Sequence, residues 1–173
     1  ELIKTRIVNT ETAKQIVSLD NREKFSDSDL QRYKNKCYYY NFIEFDAVVV
    51  SDYMKGLIDN EMIKRLEKLQ IPVFIDSKRK NLAMWKNIKN CYVKINSKEY
   101  ASSVSSSELE NLIVTEGDKG CSYYKAGHLD SFYKTDKTED ADVVGAGDVF
   151  LAAFAVAFLE KRPIPECLKF ANK

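Results

Sequence analysis

Glycine and proline are scarce in this chain, with 6 and 3 among 173 residues, which excludes collagen-like and linker-like architectures. No apolar run approaches 18 residues, so no membrane-spanning helix is encoded. An excess of one charge sign is missing too: 27 Lys and Arg face 26 Asp and Glu. That balance lacks the basic footprint of a nucleic-acid binder. A single histidine, His128, cannot build a histidine-based metal site and reads as a polar strand or turn residue. The four cysteines, at 37, 91, 121 and 167, have no metal-ligand spacing. They read as reduced structural thiols, which suits a cytoplasmic protein. What is present is an apolar fraction of 45%, ample for one packed core. The chain starts at Glu1 without Met and stops at Lys173 within a helical pattern, so the expectation is a piece of a longer protein.

Residues 3–9 and 15–20 alternate in polarity around a polar stretch and predict a β-hairpin. Ser26 and the acidic residues after it open a helix expected to run to about Phe42. From there the rhythm is α/β. Residues 46–51 read as a strand buried on both faces. Asp59 caps a helix running to about Leu69, with Met62, Ile63, Leu66 and Leu69 on one stripe. Strands follow at 71–76, 91–95 and 112–115, then a meander at 121–124 and 128–133. Residues 147–159 predict a buried helix, and Pro165 begins another. Strands alternating with helices imply a parallel sheet from Asp46 onward, with residues 1–25 as an appended β element. Ligands bind at the carboxyl ends of strands in such sheets. The residues to inspect are therefore Ser51, Asp52 and Tyr53, then Asp76, Ser77 and Lys78, then Asn96, and then Thr115, Glu116 and Gly117.

The segment Gly145-Ala146-Gly147-Asp148 immediately precedes the apolar helix. Its glycines allow a tight turn and close approach to a ligand, and the helix start offers free N–H groups to an anion. An acidic residue in that turn suits acceptance of a proton from an attacking hydroxyl. The plainer alternative is tight helix–sheet packing, with Asp148 as an N-terminal helix charge.

On these residues the sequence resembles the ribokinase-like, or phosphofructokinase B, family of sugar and nucleoside kinases. The match extends from Asp142 through Asp148, except that Val143 and Val144 stand where the family usually has a hydroxyl. Further matches follow the family's order: Asn96-Ser97-Lys98-Glu99, then Thr115 with Gly117 and Gly120, then Phe170-Ala171-Asn172. Ser51-Asp52-Tyr53 with Lys55 and Gly56, and Asp76-Ser77-Lys78, are similar to segments of the heptose-7-phosphate kinases. Two departures from that branch are the absence of proline between Asp76 and Lys78, and Ser18 where an Arg is usual.

The resemblance implies a partial parallel three-layer α/β sandwich over residues 26–173, with a β lid at 1–25. It implies ATP-dependent phosphotransfer to the hydroxyl of a sugar or sugar phosphate. Asp148 would be the base, and Gly145, Ala146 and Gly147 the anion hole. Asn96, Thr115, Gly117, Gly120 and Asn172 would lie along the nucleotide, and Glu99 would hold Mg²⁺ through water. Asp52, Lys55 and Lys78 would sit on the substrate side, with Lys78 and Lys94 as phosphate contacts. Lid strands imply a homodimer; neither a nucleic acid nor a membrane is an expected partner. A nucleotide-binding module without catalysis is the alternative. A dinucleotide-binding domain is disfavoured, because no Gly-x-Gly-x-x-Gly follows the first strand.

Overall fold

A computed structural model describes residues 4–8, 15–20, 26–135 and 145–173. The expected hairpin is present: β1 (Lys4–Val8) pairs antiparallel with β2 (Gln15–Asp20). It forms a separate two-stranded sheet.

The main sheet has six strands in sequential order. These are β3 (Val48–Asp52), β4 (Val73–Ser77), β5 (Cys91–Asn96), β6 (Asn111–Thr115), β7 (Gly120–Lys125) and β8 (His128–Lys134). The first four run parallel, and β7 and β8 complete the sheet as an antiparallel meander. Residues of period two on β4, β5 and β6 sort into two cores. Val73, Ile75, Val93, Ile95, Leu112 and Val114 face a layer of Ile63, Leu66, Leu82 and Trp85. Phe74, Tyr92 and Ile113 face the opposite layer, made by Phe150, Leu151, Phe154 and Leu168. The expected three-layer sandwich is therefore built from α2 (Asn60–Leu66) on one side of the sheet. The other side carries α4 (Ala146–Leu159) and α5 (Ile164–Ala171). The short helix α3 (Ser97–Ser102) follows β5 directly. Phe74, Tyr92, Phe154 and Phe158 meet ring to ring, with centroids 5.1–6.4 Å apart.

Three expectations need correction. Helix α1 (Asp27–Tyr39) is capped by Ser26 as predicted but ends before Phe42. Arg65 donates to the carbonyls of Cys37, Tyr38 and Tyr40, and this cation closes the helix. Strand β3 is not buried on both faces. It is an edge strand among the described residues, and Val49 is 54% exposed. Helix α4 is buried along one face only: Val149 and Val156 are exposed.

Candidate active site

The site begins with strand alternation. Phe74 and Tyr92 point toward α4, so Asp76 and Lys94, two residues further on, point the same way. The parallel register sets Asp76 beside Lys94. Both are buried, and Lys94 Nζ lies 3.0 Å from Asp76 Oδ2. Asp76 Oδ1 accepts no hydrogen bond among the described residues, and Lys78 Nζ stands 3.8 Å from it. Lys78 donates to Glu99 Oε1 at 2.7 Å. Burial pushes the Lys78 ammonium down, but the Glu99 hydrogen bond and the Asp76 charge outweigh it and raise its pKa.

Above this row sits the start of α4. Gly145 is its N-cap, in the left-handed region at φ 82°, and has no side chain with which to cap the helix. The first N–H groups of a helix have no partner within it and suit a ligand. A Cβ on Gly147 would come within 2.5 Å of Lys94 Nζ, so the missing side chain makes room for the ammonium. Two positive features converge there, the helix end and a lysine, and both favour an anion. Asp148, exposed in the same turn, accepts from the Tyr53 hydroxyl at 3.3 Å to Oδ1 and 3.5 Å to Oδ2.

Asn96 and Glu99 form a capping box on α3. Asn96 Oδ1 accepts from the Glu99 N–H at 2.9 Å, and Glu99 Oε2 accepts from the Asn96 N–H at 2.7 Å. Thr115 is in register with Asn96 and donates to the Ile95 carbonyl at 3.4 Å. Gly117 has φ 63° with open space around it, so its requirement is conformational. Gly120 has φ 123°, and a Cβ there would strike the Tyr133 carbonyl oxygen, so its requirement is also steric. Asn172 donates to the Tyr133 carbonyl at 3.0 Å and borders an open groove of about 410 Å³ with Phe132, Tyr133 and Lys169.

On the other flank, Asp52 is buried, pairs with Arg79 and accepts from the Met54 N–H at 3.1 Å. Lys55 is exposed on the turn that follows. The structure thus joins Gly147, Lys94, Asp76, Lys78 and Glu99 by direct contacts, and Asp148 with Tyr53. Thr115, Gly117, Gly120 and Asn172 lie along the same sheet end, toward β8. Asp142, Val143 and Val144 lie outside the described residues. Asp76 and Tyr53 carry contacts that the motifs did not assign. The available signal was a charged residue inside each of two buried strands, at positions facing one side.

The thiols of Cys91, Cys121 and Cys167 are free and buried. Burial pushes those of Cys91 and Cys121 up to about 12, which disqualifies both as nucleophiles. Among the described residues no group of three or more His, Cys, Asp and Glu side chains has metal-binding geometry. No helix among them is long and apolar enough to cross a membrane.

Comparison with known proteins agrees with this fold. The bifunctional protein HldE of Nitratiruptor sp. is 29% identical over 189 residues, covering 98% of this chain and 39% of that protein. The chain therefore spans about two fifths of that relative's length. The nucleoside kinase of Burkholderia thailandensis, solved with inosine, superposes at a TM-score of 0.71 and 14% identity, covering 98% of this chain and 59% of the other. The ribokinase of Thermotoga maritima gives 0.64 at 19% identity, covering 95% and 58%. Residues 3–173 match the pfkB family carbohydrate kinases, and the chain belongs to that family.

Proposed function

We propose that this chain is the ATP-binding and catalytic part of a sugar kinase with Asp148 as its base. The observation that carries the reading is the start of α4 lying over the Lys94 ammonium, with a carboxylate in the same turn. The N–H groups of Ala146 and Gly147, with Lys94 beneath them, stabilise charge developing on the transferred phosphoryl. Asp148 accepts the proton of the attacking hydroxyl. Lys78 steadies phosphate oxygens. Asn96, Thr115, Gly117 and Gly120 line the nucleotide path toward Asn172 and the groove beside β8.

The donor set fits Mg²⁺ held through water. One Glu99 oxygen is fixed by the capping box, and the other, bound by Lys78 here, would hold Mg²⁺ through water. When bound with ATP, Mg²⁺ supplies charge neutralisation between the phosphates.

A heptose-7-phosphate-like acceptor is supported by the segment around Tyr53 and by the HldE relatives. Asp52, held by Arg79, fixes the substrate-side turn that presents Lys55. Exposed Ile7 and Val17 on the hairpin support subunit pairing through a lid. Free buried thiols suit a reducing cytoplasm.

The test is Asp148→Asn in the intact protein, with MgATP and heptose 7-phosphate. Sugar-dependent ADP release falls by at least about a hundredfold, while ATP affinity by calorimetry is largely retained. Undiminished turnover overturns the base assignment.

A further inference from the structure

The Tyr53 hydroxyl has no chemical role in the reading above, yet it makes the hydrogen bond that links the substrate-side turn to α4. The turn is fixed from below. Asp52 is buried, bound to Arg79 and to the Met54 N–H, and Met54 itself sits at φ 56°. From that support the half-exposed Tyr53 ring reaches a residue 95 positions later in the chain. The hydroxyl straddles the open end of the Asp148 carboxylate, 3.3 and 3.5 Å from its two oxygens. Lys78 Nζ stands 5.9 Å from the centre of the ring.

Asp148 needs such a partner. A carboxylate in the first turn of a helix is drawn to that helix's free N–H groups, and the Lys94 ammonium lies against Gly147 in that same turn. A base turned into the anion hole would block the phosphoryl group and face away from the acceptor. We propose that Tyr53 is a positioning residue for Asp148: its hydroxyl donates to the carboxylate and holds it toward the acceptor side. The inference rests on the kinase reading. The phenol keeps its proton throughout. Burial, then the charges of Asp148 and Asp76, push its pKa upward, opposed only in part by Lys78.

The test is Tyr53→Phe in the intact protein. With saturating MgATP and heptose 7-phosphate, kcat falls on the order of ten-fold, and KM for ATP is unchanged. In a second measurement, ring-carbon NMR follows the Tyr53 phenol through its titration, which moves to lower pH in Asp148→Asn. An unchanged kcat in Tyr53→Phe overturns the proposal. So does a loss appearing wholly in KM for ATP, or a Tyr53 titration indifferent to Asp148→Asn. Wild-type turnover by Asp148→Asn instead sinks the base assignment. If that variant is inactive and Tyr53→Phe turns over normally, only the role of Tyr53 fails.

Discussion

A single absent methyl group shapes the proposed phosphate site. Gly145 and Gly147 stand two residues apart, yet they are glycine for different reasons. Gly145 has open space around it and a left-handed backbone. Gly147 has no positive φ, and its missing Cβ leaves the place that Lys94 Nζ occupies. Gly147→Ala therefore displaces the far end of a flexible side chain while leaving the backbone intact. Phosphoryl transfer is expected to fall by about ten-fold or more, with melting temperature within a few degrees of wild type. Steady-state kinetics and a thermal melt on the same sample check both halves. The glycine motif was legible in the sequence as a place of close approach. The resemblance named Lys94 as a phosphate contact, but its approach to Gly147 was not legible, because the lysine arrives from β5, much earlier in the chain, and the strand register helps to bring it there.

Helix ends show the same division between local and distant causes. Asp59 was readable as the cap of α2 because capping is a matter of neighbouring residues: its carboxylate accepts from the Met62 N–H at 2.9 Å. Lys34 of α1, 2.7 Å away, was not readable. Burial pushes the Asp59 carboxyl upward, but the Lys34 hydrogen bond and the Met62 N–H hold it below the ordinary carboxylate range. A carboxyl lowered on folding contributes stability that is present above its unfolded value and lost as pH falls through the folded one. Asp59→Ala is expected to cost about 1 kcal/mol at neutral pH. That gap narrows in acid, below the ordinary carboxylate range, and urea melts at pH 7 and pH 3 check it. Strand β3 is the counterexample. Val48, Val49 and Val50 read as a doubly buried run, yet Val49 is exposed, because being at the edge of a sheet is a property of the neighbours. Helix α4 misled in the same way, since a uniformly apolar sequence does not say which face finds a partner.

At the scale of the whole molecule, the cysteines report on the two layers. Cys91 packs with Trp85 and Leu109 on one face of the sheet, while Cys121 and Cys167 pack with Phe154 and Leu168 on the other. Cys37, on α1, is only partly covered. A thiol reagent should label Cys37 first in native protein and reach the other three only on unfolding. If both layers open together, Cys91, Cys121 and Cys167 become reactive at one urea concentration. Mass spectrometry of labelled peptides along a urea series checks this, and separate midpoints would show that the layers open independently.

The buried pair of Asp76 and Lys94 also bears on how the sheet assembles. Asp76 and Lys94 sit at directly opposed positions on neighbouring strands, inside two runs that are otherwise almost interchangeable apolar residues. If β4 and β5 aligned one step out of place, one charge would turn toward the Trp85 layer and both would be stranded, at several kcal/mol each. The same pair that seats Lys94 beneath the start of α4 thus acts as an alignment key. Replacing both with Leu and Met would preserve burial and remove the penalty against mispaired strands.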